Sequence, residues 1–257
     1  MIINFEVKKT GKLIRGVVHR PESVNGHLPC VIFCHGFTGE RVGANFMHVK
    51  VARALEDMGI ISVRFDFLGS GESDGEFKDM TMSREVEECE AIVDYVSKLA
   101  PVDSNNINLL GYSLGGPVCL QTAERHPDII KNLILLSPAA DMLDVITQAI
   151  RGPKVYNYLK EGWVDFHGNQ VSKAAIDDIF AVNLYDSART FKGGVLLVHG
   201  TQDECIPPFT SIKLQEVFPN GAQLKLIDGA DHHYATMAYL DELIAAIREF
   251  AGRKILS

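Results

Sequence analysis

Strands of a parallel sheet covered on both faces read as nearly continuous apolar runs. Four such runs punctuate this chain: Cys30-Val31-Ile32-Phe33-Cys34, Ile107-Asn108-Leu109-Leu110, Leu133-Ile134-Leu135-Leu136-Ser137 and Gly194-Val195-Leu196-Leu197-Val198. Two shorter ones, Ile61-Ser62-Val63-Arg64-Phe65 and Gln223-Leu224-Lys225-Leu226-Ile227, have the same character. The start, Met1-Ile2-Ile3-Asn4-Phe5-Glu6-Val7, alternates like a strand and predicts a pair over 2–8 and 12–20, hinged at Thr10-Gly11. Between the strands, helical spacing of apolar residues predicts helices near 44–58, 83–99, 117–123 and 240–250. Strands alternating with helices predict an α/β fold: a mostly parallel eight-stranded sheet with helices on both faces. The rhythm breaks between Ser137 and Phe191, where polar and helical patches at 142–150, 156–160 and 174–180 replace any clear buried strand. The expectation is a single domain over 1–257, with a small cap insertion after the sixth strand at approximately 141–188.

At 257 residues and 46% apolar content, the chain can fill one large core. Its net charge of −8 argues against nucleic acid, because neutralising phosphates requires a basic face. The charges from Glu85 to Glu90 read as a solvated helix face. No run is long enough to cross a membrane. The N-terminus lacks the charged, apolar and cleavage regions of a signal peptide. Five cysteines without a CxxC pair point to reduced thiols and a cytoplasmic protein. A homodimer is compatible with this composition.

The candidate chemistry centres on Gly111-Tyr112-Ser113-Leu114-Gly115, between an apolar run and the helical stretch from Pro117. A serine between glycines on a strand-to-helix turn forms a nucleophile elbow, which exposes the hydroxyl. Such a serine needs a base and an acid, in the chain order Ser, Asp or Glu, His. Asp203 follows the strand ending at Gly200, and His232 follows the strand ending at Ile227. Asp203 could alternatively cap the helix near Pro207-Pro208-Phe209, and Asp141 is a second possible acid. Among nine histidines, His126 suits a helix end, His199 a core or rim, and His19, His27, His48 and His167 the surface. Of the remaining pair, His232 is preferred over His233 because it first projects back after the Gly229-Ala230-Asp231 turn. No ligand constellation with metal-binding spacing accompanies the pair, so no metal is expected. For the oxyanion, the Leu114 N–H directly follows the nucleophile. A second donor, the Phe37 N–H, sits in the His35-Gly36-Phe37-Thr38-Gly39 loop after the third strand.

These motifs, with Gly200-Thr201-Gln202-Asp203 and Asp66-Phe67-Leu68-Gly69-Ser70-Gly71-Glu72-Ser73, resemble the α/β-hydrolase superfamily. Within it the chain resembles bacterial cinnamoyl and feruloyl esterases, over nearly its whole length. The resemblance implies an esterase that needs no cofactor and splits a small-molecule ester through Ser113, His232 and Asp203. Aromatics of the cap, Trp163 among them, would shape an acyl or aryl pocket, with Asp141 and Gln148 reaching a polar substrate end. A thioesterase or monoglyceride lipase is the alternative among enzymes, and a binding protein that has lost catalysis is the alternative outside them.

Overall fold

In chain order the strands are β1 (Ile2–Lys9), β2 (Lys12–His19), β3 (Leu28–Cys34), β4 (Ile61–Phe65), β5 (Val102–Tyr112), β6 (Ile130–Leu136), β7 (Trp163–Phe166), β8 (Asn169–Ser172), β9 (Gly194–Gly200) and β10 (Gln223–Ile227). The structure, a computed structural model, describes residues 1–22, 24–140 and 158–257. Eight strands form one sheet in the order β1-β2-β4-β3-β5-β6-β9-β10. β2 runs antiparallel to both β1 and β4, and the remaining neighbours are parallel. This is the eight-stranded, mostly parallel sheet the apolar runs predict. β5 is longer than its apolar run, because Val102 already pairs with Leu28 of β3.

Side chains alternate across the sheet with period two, so each strand feeds two cores. Leu133 and Leu135 of β6 join one core, with Val86 and Val118; Ile134 and Leu136 join the other, with Leu55 and Ile247. The first core is covered by helices α2 (Met82–Val96) and α3 (Gly115–Arg125), the second by α1 (Met47–Glu56) and α7 (Met237–Lys254). Truncating a residue such as Leu135 to alanine would cost about 2–5 kcal/mol in either layer. Thr81 and Thr236 set the starts of α2 and α7, their hydroxyls accepting from the Arg84 and Tyr239 N–H groups.

In the expected cap region, β7 and β8 pair as a hairpin, followed by α4 (Lys173–Phe180) and α5 (Leu184–Thr190). The hairpin escapes the apolar-run pattern because each strand has four residues and buries one of them, Val164 and Val171. Its turn is nevertheless written in His167-Gly168, whose φ values of 51° and 83° match a primed hairpin turn. The final connection runs through α6 (Phe209–Val217). Of the patches expected to be helical, 142–150 and Tyr156 lie outside the described residues, as do Asp141 and Gln148.

Three polar expectations need correction. His19 and His48 are fully buried, whereas His27 and His167 are exposed. His19 ends β2 beside Ser62 of β4, where its Nε2 accepts from the Arg64 guanidinium; burial and that cation push it down to about 4. His48 lies against the rings of Phe33 and Tyr112. The third correction concerns the charges of α2, because Glu85 and Glu88 are buried while Glu87 is exposed. Positions 82, 85, 88, 89 and 92 share one helical face, and tertiary packing turns that face inward. Burial pushes the Glu85 carboxyl well above its usual range and Glu88 up to about 7.

Glu88 yields a stability prediction. An unfolded glutamate ionises near 4.3. Between there and about 7 the folded chain keeps a proton the unfolded chain has released, so this residue's contribution weakens as pH rises through that window. Glu88→Gln keeps an acceptor for the Leu68 N–H, now bonded at 2.8 Å, and removes the titration. Thermal melts should show the variant matching the parent near pH 4 and exceeding it at pH 8, by on the order of 1–3 kcal/mol. A variant weaker than the parent at pH 8 would mean that the ionised carboxylate is net stabilising.

Candidate active site

β5 delivers Ser113 to a turn that only small neighbours permit. A Cβ at Gly111 would run into the Gly115 carbonyl, and one at Gly115 into the Cys34 carbonyl. Ser113 itself sits at φ 53°, a conformation a non-glycine residue holds only at a cost on the order of 1 kcal/mol or more. Backbone bonds hold it there. Its N–H donates to the Leu136 carbonyl at 2.9 Å, and its own carbonyl accepts from Gly116 at 3.0 Å and Ala139 at 3.1 Å.

The ends of β9 and β10 bring the partners to the same sheet edge. His232 Nδ1 lies 2.7 Å from Asp203 Oδ2, and its Nε2 lies 3.1 Å from Ser113 Oγ. A carboxylate can only accept, so Nδ1 carries the proton and Nε2 turns a lone pair toward the Ser113 hydroxyl. Asp203 and His232 are each 7% exposed. Burial alone would raise the Asp203 carboxyl, but hydrogen bonds from His199 and His232 outweigh it and hold the group well below the usual carboxylate range. Its second oxygen accepts from the Cys205 and Ile206 N–H groups at 2.9 and 2.8 Å.

The loop after β3 passes directly beside the elbow, since a Cβ at Gly36 would stand 3.0 Å from the Ser113 Cβ. His35 braces it. Its Nδ1 donates to the Gly36 carbonyl at 2.9 Å, and its Nε2 accepts from the Phe67 N–H at 3.1 Å. Burial pushes His35 down, which favours this neutral form. Neither the Phe37 nor the Leu114 N–H donates to another residue among those described. The Phe37 ring stands edge-on to Phe77 and Phe166, each at 5.3 Å, so the β7–β8 hairpin touches the loop that carries this N–H.

The structure therefore brings together Ser113, Asp203 and His232, with Phe37 and Leu114 flanking. Trp163 lies half-buried on β7, paired with Ser172. The alternative base, His233, points to the Tyr112 phenol instead of Ser113. Sequence reading gave no role to Tyr112, or to His199 behind Asp203. His199 sits four residues before Asp203, its Nε2 bonded to the Ile206 carbonyl at 2.9 Å and 3.2 Å from Asp203 Oδ2. Only that spacing could have flagged it. Asp203, Cys205 and His232 offer one ligand atom each, all within 4.8 Å of one another. The short His232–Asp203 hydrogen bond already engages two of them, and an ion there would displace its proton.

Residues 29–181 match the family described as the alpha/beta hydrolase fold. The chain is 27% identical over 245 residues to the mitochondrial palmitoyl-protein thioesterase ABHD10 of Mus musculus, covering 90% of this chain and 77% of that protein. It is 35% identical over 88 residues to an uncharacterised 31.7 kDa protein of Escherichia coli, a match to 34% of this chain and only 30% of that protein. Among solved structures it superposes on Est1E from Butyrivibrio proteoclasticus with bound ferulic acid, at a TM-score of 0.87 and 28% identity, over 98% of this chain and 100% of that one.

Proposed function

From the premise that the chain belongs to the α/β-hydrolase family, we propose that it is a serine hydrolase of carboxylic esters working through Ser113, His232 and Asp203. The observation that carries this reading is the continuous relay from Asp203 Oδ2 through His232 to Ser113 Oγ. Ser113 Oγ attacks the ester carbonyl while His232 Nε2 takes its proton. The Phe37 and Leu114 N–H groups receive the oxyanion, and Asp203 stabilises the imidazolium. His232 then protonates the departing alcohol, leaving an acyl group on Ser113. Water, deprotonated by His232, attacks that acyl carbon and releases the acid, restoring the hydroxyl. No step calls for a cofactor. A catalytically silent binding protein would have no use for an aligned nucleophile, base and acid.

The substrate reading is an ester of a hydroxycinnamoyl or short-to-medium acyl group, supported by the likeness to Est1E, which is seen with ferulic acid bound. Of the expected cap at 141–188, the described part from 158 on would border the site, with Trp163 near the acyl or aryl group; Asp141 and Gln148, the residues expected to reach a polar substrate end, lie outside the described residues. The 27% identity to a palmitoyl-protein thioesterase favours a thioester as the second reading. A panel of hydroxycinnamoyl methyl esters, short and long p-nitrophenyl esters, monoglycerides and acyl thioesters separates them. The hydroxycinnamoyl or short acyl esters should give the highest kcat/KM. A long-chain thioester preferred over them would transfer the assignment to thioester hydrolysis.

Asp203→Asn tests the acid. The amide cannot hold the same imidazole tautomer, so kcat should fall by about 10⁴. Circular dichroism should remain that of the parent. An Asp203→Asn enzyme with near-parental kcat would move the acid elsewhere, Asp141 being the residue to examine next.

A further inference from the structure

His232 must keep two hydrogen bonds at once, and both depend on where its main chain sits. The Tyr112 phenol reaches that main chain, with its hydroxyl 3.2 Å from the His232 carbonyl oxygen. The same hydroxyl oxygen lies 2.8 Å from His233 Nδ1. A phenol has one proton, and a carbonyl can only accept. The proton therefore points to the His232 carbonyl, and the Tyr112 oxygen accepts from the Nδ1–H of His233. Both contacts of the Tyr112 hydroxyl are then hydrogen bonds. Tyr112 is 7% exposed, and burial pushes its phenol up, so it keeps its proton. Its ring also stands 5.1 Å from the His232 ring at a 36° tilt, forming a wall beside the imidazole.

Tyr112 is the last residue of β5 and is covalently followed by Ser113. The nucleophile and the main chain of its base thus hang from one strand end. The neighbouring stays of the loop are anchored elsewhere. The Gln202 N–H holds the Ala230 carbonyl at 2.9 Å, and the Tyr234 hydroxyl holds the Val198 carbonyl at 3.1 Å. Tyr112 acts between those two points, at His232 itself.

The geometry points to Tyr112 and His233 as a pair of positioning residues that fix the His232 main chain so that its Nε2 meets Ser113 Oγ. This rests on the Ser113–His232–Asp203 reading. His233 does not touch the reacting atoms; it orients the Tyr112 hydroxyl. Proton transfer is sensitive to such placement, since a misplacement of about 1 Å can cost up to about a hundredfold in rate.

The test uses the full-length chain with a p-nitrophenyl ester and five variants: Tyr112→Phe, His233→Ala, His233→Asn, the double Tyr112→Phe/His233→Ala, and Ser113→Ala. Phenylalanine keeps the wall and removes only the hydroxyl. Asparagine places its Nδ2–H near the position of the Nδ1–H of His233. Tyr112→Phe and His233→Ala should each lower kcat by about tenfold with KM changed less than about twofold, and His233→Asn should recover most of the loss. The double variant should fall no further than the worse single one, because both break the same chain of bonds. A purely structural role would lower the melting temperature and leave kcat in place. The proposal is overturned if Tyr112→Phe keeps parental kcat, if His233→Asn is no better than His233→Ala, or if the two losses multiply. Full activity in Ser113→Ala would instead overturn the underlying reading, whatever the Tyr112 variants do.

Discussion

Ser113→Ala is expected to lose about five to six orders of magnitude in kcat while folding as the parent does. Without Oγ no acyl-enzyme forms, and water must attack the ester with only the Phe37 and Leu114 N–H groups to help. The fold should survive because the elbow is held by backbone bonds to Leu136, Gly116 and Ala139, none of which uses the hydroxyl. Alanine meets the same backbone strain at φ 53° that serine meets. Ser113→Gly relieves it, so that variant should be equally inactive yet more stable than Ser113→Ala by about 0.5–1 kcal/mol. Hydrolysis assays and thermal melts on the two variants check both halves. A Ser113→Gly protein that melts below Ser113→Ala would mean the elbow carries no strain for glycine to release.

The second large effect belongs to the base. His232→Ala should lower kcat by about four to six orders of magnitude, close to the loss from removing the nucleophile, because the two act as one unit. The adjacent His233→Ala should lose only about tenfold, the cost of a less well placed base. Two neighbouring histidines with such unequal effects follow from their partners: Nε2 of His232 is 3.1 Å from Ser113 Oγ, while Nδ1 of His233 is spent on Tyr112. His232→Ala should not unfold the protein, since Asp203 keeps bonds to the Cys205 and Ile206 N–H groups and its contact with His199. Steady-state kinetics on the two alanine variants decide the matter. The opposite ranking would assign the base to His233.

The sheet was legible in the sequence because strands covered on both faces carry nearly continuous apolar runs, such as 30–34 in β3, 133–136 in β6 and 195–198 in β9. The residues that meet at its edge were legible for a related reason. Parallel strands end on one side, so a serine, an aspartate and a histidine following three of them converge without further information. What escaped depends on partners distant in the chain. His19 reads as polar and exposed until Arg64, 45 residues away, is laid beside it. Glu85 and Glu88 look like a solvated face until α2 is turned onto the sheet. The β7–β8 hairpin is too short for its alternation to stand out, and it gains its place by packing Phe166 against Phe37. Tyr112 was written inside the elbow motif itself, yet its role emerges only when the chain returns 120 residues later to place His232 within reach of its hydroxyl.

The nucleophile is the point on which the whole functional reading turns, and a fluorophosphonate reagent addresses it in one step. The reagent forms a stable bond to a serine oxygen activated by a neighbouring base, and digestion followed by mass spectrometry locates the adduct. A single adduct on Ser113, formed in step with loss of ester hydrolysis and absent from Ser113→Ala, is the predicted result. An adduct on a different serine, with hydrolysis retained in Ser113→Ala, would contradict it.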